Sequence, residues 1–273
     1  MIDTHVHFWN YDPLRDNWIT EDMYAIRKDF TPKNLMRVFN DLQISGCVAV
    51  QANQSEEENN FLLSLAEQSD LIKGIVGWID LQSPNLEERL NYWSFFKLIK
   101  GWRHVLQAEN EAFILNKDFI NGIRKLKSYK YTYDLLVYHD QLTHLIKMVD
   151  QIPDQPFILD HCGKPNIKSG EIKDWTANIK ILAQNPNVHC KVSGLLAEAD
   201  WKNWTEAELF KIFDIIFENF GVKRVLYGSD WPVILISRPY SDWFNLISKY
   251  AERFTTEERS LLFGGNAKAF YSL

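Results

Sequence analysis

Short apolar runs recur along the chain, and longer amphipathic stretches separate most of them. Eight runs have strand length, at 2–8, 47–53, 74–81, 99–107, 132–138, 156–162, 188–195 and 224–230. Side chains on a strand alternate between faces, so polar and apolar sets can be sorted by position. In the seventh run Val188, Cys190 and Val192 alternate with His189, Lys191 and Ser193. The apolar set suits a helix layer, which turns Lys191 toward the opposite, inner side. Apolar spacing near 3.6 predicts helices over 56–68, 113–126, 141–149, 172–182 and 206–220. Thr31-Pro32 reads as an N-cap followed by proline at the first helical position, opening a helix that runs to about Leu42. Segment 84–98 is less regular and predicts only a short helix, and helices over 241–250, 256–262 and 266–271 follow the last strand.

Strand–helix alternation implies a parallel sheet with right-handed crossovers. Eight strands in 273 residues point to one α/β domain over 1–273, a (β/α)8 TIM-like barrel. A doubly wound open sheet needs a glycine-rich first turn, and Phe8-Trp9-Asn10 offers none. The longest irregular stretch, 9–30, follows the first strand and is expected over the barrel mouth. A net charge of −6 argues against a nucleic-acid partner. No apolar run approaches the roughly 18 residues of a membrane span, and no secretory pattern precedes the first strand. Cys47, Cys162 and Cys190 all lie in apolar runs. They read as reduced core thiols of a cytoplasmic protein. Homo-oligomer formation is left open.

In such a barrel the chemistry sits at the C-terminal ends of the strands. Those ends carry His5 and His7; Gln51 and Asn53; Arg103 and His104; Tyr133, Asp134 and His139; Asp160 and His161; Lys191 and Ser193; and Asp230 followed by Trp231. Alternation puts Asp3, His5 and His7 on one face of the first strand and Ile2, Thr4, Val6 and Phe8 on the other. Only one of the neighbours Arg103 and His104 is expected to face inward. Gln51, Asn53, Tyr133 and Ser193 read equally well as turn or cap residues. Asp160, next to His161 and on the opposite face, reads as structural. The convergent set is three imidazoles, His5, His7 and His161, with the carboxylate of Asp230. It suits a divalent ion or an activated water.

These residues resemble the amidohydrolase superfamily, in its amidohydrolase-2 branch, and within it the sugar-lactone hydrolases of the L-fuconolactonase and L-rhamnono-lactonase type. The resemblance rests on Asp-Thr-His-Val-His-Phe-Trp at 3–9, Val-Gly-Trp-Ile-Asp-Leu at 76–81 and Gly-Trp-Arg-His-Val-Leu-Gln at 101–107. It extends through Leu-Asp-His-Cys-Gly-Lys-Pro at 159–165, Cys-Lys-Val-Ser-Gly-Leu at 190–195 with Glu198, and Tyr-Gly-Ser-Asp-Trp-Pro-Val at 227–233. It implies an amidohydrolase-type barrel that opens a small-molecule sugar lactone to the acid. His5, His7 and Asp230 match its metal positions, and His161 its later histidine, as a further ligand or as the group polarising the carbonyl. Asp230 is the implied general base. Whichever of Arg103 and His104 faces inward, with Lys191, is expected to hold oxyanion or hydroxyls, and Gln51 and Trp231 to line the pocket. No residue fills the bridging role of the two-metal relatives, and Glu109 lies too far past the fourth strand. A single ion, zinc foremost, or a metal-free site is therefore expected. Amide hydrolysis or decarboxylation on the same fold is the alternative chemistry. A TatD-like nuclease fits less well, and a barrel kept only for binding less still.

Overall fold

Each of the eight predicted runs overlaps a strand. The computed structural model describes residues 1–273. The strands are β1 (Ile2–Val6), β2 (Gly46–Val50), β3 (Ile72–Gly77), β4 (Ile99–His104), β5 (Thr132–Leu135), β6 (Phe157–Leu159), β7 (Val188–Val192) and β8 (Val225–Tyr227). They form one parallel sheet in sequential order. Just past β8 the sheet meets β1, where Asp230 N–H donates to the His5 carbonyl at 2.9 Å and His7 N–H to the Trp231 carbonyl at 2.7 Å. The result is a (β/α)8 barrel.

The helices are α1 (Pro32–Asp41), α2 (Glu56–Glu67), α3 (Leu86–Trp93), α4 (Glu111–Ile114), α5 (Lys117–Leu126), α6 (Leu142–Val149), α7 (Lys173–Leu182), α8 (Leu195–Glu198), α9 (Glu206–Phe220), α10 (Tyr240–Ala251), α11 (Thr256–Ser260) and α12 (Asn266–Tyr271). The helix expected over 113–126 is two. Asn116 interrupts it, because its side chain accepts from Asp118 and Phe119 N–H and starts α5 afresh. None of the helices is long and apolar enough to cross a membrane.

Two apolar layers follow from strand alternation. Cys47, Ala49, Ile75, Trp102, Tyr133, Leu135, Phe157, Leu159, Val188, Cys190, Val192, Val225 and Tyr227 join the large core against the helices. Ile2, Val48, Val50, Val76, Ile158 and Leu226 form a separate cluster with Ala267 and Tyr271 of α12. They come from alternate positions of the same strands and so fill the barrel interior, with α12 closing its lower end. The stretch 9–30 folds back through a Trp9–Phe30 bridge, and Phe30 meets Trp231 edge-on at 5.1 Å.

One expectation about β1 is corrected. Asp3 and His5 do not share a face. The β1–β2 register runs Asp3 to Cys47 and then Val6 to Ala49, so β1 carries one extra residue. This bulge turns Ile2 inward, and Asp3 reaches out to Tyr240 on α10, which donates to it at 2.7 Å. His5 and His7 still reach the interior.

Candidate active site

His5 lies near the end of β1 and His7 just past it, His161 follows β6, and Asp230 follows β8. All four are buried. His5 Nε2 lies 3.1 Å from His7 Nε2 and 3.8 Å from Asp230 Oδ1. His7 Nε2 is 3.3 Å from the same oxygen, and His161 Nε2 is 4.0 Å from it. The loops that deliver them are sharply bent. His161, Cys162 and Lys164 have φ of 54°, 55° and 47°, and Asp230 has φ of 63°. Non-glycine residues adopt this left-handed region rarely and at some cost.

Ring orientations are fixed from behind. His7 Nδ1–H donates to the Val50 carbonyl at 2.8 Å, which fixes its ring with Nε2 toward Asp230. Ser193 Oγ meets His161 Nδ1 at 2.9 Å. Burial pushes the proton affinity of His5 and His161 well below the ordinary histidine range, which keeps both imidazoles in the neutral form that binds a cation. Burial alone would raise Asp230, but His161 and His7 outweigh it, and the carboxyl sits below its usual range.

Metal–ligand bonds of roughly 2.0–2.1 Å in a tetrahedral site place donor atoms about 3.3 Å apart. Around His5, His7 and Asp230 two spacings, 3.1 and 3.3 Å, lie close to that figure and the third is 3.8 Å. His5, His161 and Asp230 offer donor atoms all within 4.8 Å of one another. The donor set of imidazole nitrogens and one carboxylate suits a borderline ion such as zinc.

Beneath these groups lies a charged network. Arg103 faces inward from β4. Its Nη2 donates to the Gln51 carbonyl at 2.6 Å, and its Nη1 lies 3.2 Å from both Asp160 Oδ2 and His5 Nε2. His104 turns away, stacks on Phe113 and pairs with Glu109 at 3.0 Å. Lys191 is inward and fully buried. Its ammonium bonds Asp134, lies 2.9 Å from Asp160 Oδ1 and 3.3 Å from His5 Nδ1. Gln51 is fully buried and donates to the Arg103 carbonyl at 3.2 Å. Trp231 is 3% exposed and meets Phe8 and Phe30 edge-on. His139 lies elsewhere, in an outer groove beside Trp175 and Lys211.

Sequence reasoning undervalued Asp134 and Asp160. The signal was present, because an inward lysine on one strand of a buried barrel requires carboxylate partners. Asp134 sits on the same inward row as Arg103, its register partner. Tyr271, whose hydroxyl donates to Asp134 at 3.1 Å, carried no such signal.

Comparison with known proteins agrees with this architecture. The family model described as Amidohydrolase matches residues 2–273. The chain is 36% identical to an L-fucono-1,5-lactonase of Burkholderia multivorans over 100% of its own length and 96% of that protein. An L-fucono-1,5-lactonase of Burkholderia ambifaria is 29% identical, with 100% of this chain and 95% of that protein covered. A crystal structure of a Burkholderia multivorans amidohydrolase with bound zinc superposes with a TM-score of 0.97 at 35% identity, covering 100% of this chain and 99% of the other. With a full-length family match and a relative above 30% identity, the chain belongs to the amidohydrolase family.

Proposed function

We propose that this protein hydrolyses a sugar lactone of the aldonolactone class, such as L-fucono- or L-rhamnono-lactone, to the open-chain acid. The observation that carries the reading is the gathering of His5, His7, His161 and Asp230 around one oxygen, Asp230 Oδ1. The likeness to L-fucono-1,5-lactonases supports the choice of a cyclic ester. His5, His7 and Asp230, with His161 nearby, would hold one divalent ion, zinc by the donor set. When bound, such an ion would supply a lowered pKa for water and a positive charge toward the carbonyl.

The residues do the rest. Asp230, held as a carboxylate by its imidazole neighbours, accepts a proton as the water oxygen bonds to the lactone carbon. His161, fixed by Ser193, faces the carbonyl oxygen. When the ring C–O bond breaks, the proton held by Asp230 passes to the departing alkoxide, so charge and atoms balance. Arg103 places a cation edge beside His5 and favours the developing oxyanion. Gln51 and Lys191 act from behind, by holding Arg103 and His5. Trp231 supplies the aromatic wall, and His104, turned toward Phe113 and Glu109, stands outside the site.

The test is acid release from fucono-, rhamnono- and galactono-lactones by protein stripped of metal and then resupplied with zinc or manganese. Asp230→Asn is expected to cut kcat by about 10²–10⁴. Near-normal turnover in that variant removes the base assignment. Inertness toward every lactone, with turnover of an amide or an aromatic acid, replaces the lactonase reading by the other chemistry of the fold.

A further inference from the structure

Tyr271 lies in the last helix, α12, and its side chain enters the lower end of the barrel among Ile2, Val48 and Val76. A phenylalanine would fill that volume equally well. The hydroxyl is nevertheless present, and it donates to the Asp134 carboxylate, 3.1 Å from each oxygen. Asp134 in turn bonds the Lys191 ammonium, which also lies 5.7 Å from the centroid of the Tyr271 ring. Lys191 touches both Asp160 and His5 Nδ1. A continuous polar path therefore runs from α12 through Asp134 and Lys191 to the imidazole of His5.

We infer that Tyr271 is a positioning residue for His5, acting through Asp134 and Lys191. The reasoning is one of donor supply. Asp134 is fully buried, and burial raises its pKa to about 6 despite Lys191. A buried carboxylate needs several donors to stay in place, and Tyr271 provides one that Lys191 then does not have to supply. Lys191 is freed to pair with Asp160 as well, whose Oδ1 lies 3.3 Å from His5 Nδ1. Such supporting partners orient a ligating imidazole and set its donor strength. The functional consequence rests on the reading of His5 as a metal ligand; the geometric claim does not.

The experiment uses Tyr271→Phe, which removes only the oxygen, together with Asp134→Asn and the double variant. Imidazole ¹⁵N resonances of His5, assigned by their loss in His5→Gln, are recorded in metal-free protein. Cobalt(II) affinity is measured separately by visible absorption. The His5 resonances are expected to move in Tyr271→Phe, and cobalt affinity to fall by about tenfold. The double variant is expected to be no worse than Asp134→Asn alone, since both act through one path. Unmoved His5 resonances in Tyr271→Phe overturn the inference, even if its melting temperature drops. So do effects of the two substitutions that multiply. Failure of the wild-type protein to bind cobalt counts against the metal reading alone, because the resonance comparison still decides the role of Tyr271.

Discussion

Gly194 follows β7 with φ of +66°, and a Cβ built on it would stand 2.3 Å from His161 Nδ1. Two demands meet at this residue. The backbone needs a left-handed conformation, which costs an L-residue about 1–2 kcal/mol, and the imidazole occupies the space a side chain would take. The same ring is oriented by Ser193, one position earlier. Gly194→Ala must therefore push His161 off its place beside Asp230. Gly170 is a natural control, because it has φ of +74° with nothing within 4 Å of its ideal Cβ. Gly170→Ala is expected to lose about 1 kcal/mol in urea unfolding with unchanged kcat. Gly194→Ala is expected to lose more, and to lower kcat at least about tenfold, the cost of a reacting group displaced by an ångström. Equal kinetics in the two variants would show that His161 tolerates the intrusion.

At the scale of elements, β1 shows how a strand pattern can be right and its faces wrong. The alternation of Asp3, His5 and His7 is a true strand signal, and the strand forms. The bulge that separates Asp3 from His5 depends on pairing with β2 and β8, which no local pattern reports. A similar limit applied after β6. The strand ends at Leu159, and residues 160–163 form a tight turn with His161 and Cys162 left-handed. The alternation rule no longer holds there, so Asp160 and His161 both face the interior. Hydrophobic periodicity made the strands and most helices legible because burial enforces it over many residues. Single-residue departures at strand ends, where the site is built, escaped it.

The bulge has its own fastening. Asp3 Oδ1 accepts from His5 N–H at 3.0 Å and from Ser229 N–H at 2.9 Å, and Oδ2 accepts from Tyr240. One carboxylate thus ties β1, the turn after β8 and α10 together. Asp3→Ala leaves three buried donors unpaired, at about 1–3 kcal/mol each before relaxation. The expected outcome is a loss of about 3 kcal/mol or more in urea unfolding, with weakened activity because His5 is set by the same backbone. Asp3→Asn keeps an acceptor oxygen and is expected to recover part of both. Indistinguishable stabilities for the alanine variant and the parent would mean that the bulge is held by strand pairing alone.

For the molecule as a whole, the helix over 266–271 was predictable from its pattern, but its position under the barrel was not, since nothing in its periodicity names Asp134 or the interior as its neighbour. That position also governs acid stability. His189 points inward from β7 near the lower end, and its ring lies 4.7 Å from that of Phe270 on α12. Its Nδ1 has no hydrogen-bond partner. Burial, with Arg224 nearby, lowers its pKa from 6.5 to about 4. Above pH 6.5 the group is neutral in both folded and unfolded chains and contributes no pH dependence. Between pH 6.5 and 4 the unfolded chain binds a proton that the folded one refuses, so stability falls as pH falls. The loss approaches about 2 kcal/mol, after allowance for partial exposure. Asp3 and Asp134, each raised to about 6 by burial, act in the opposite sense over nearly the same range, so the total curve conceals the histidine. His189→Phe isolates it. The stability difference between variant and parent, measured by urea unfolding, is expected to be constant above pH 7. It should grow in favour of phenylalanine by about 2 kcal/mol on going to pH 4. Parallel curves through that interval would mean that the histidine accepts its proton inside the folded barrel, and that α12 leaves the lower end open to water.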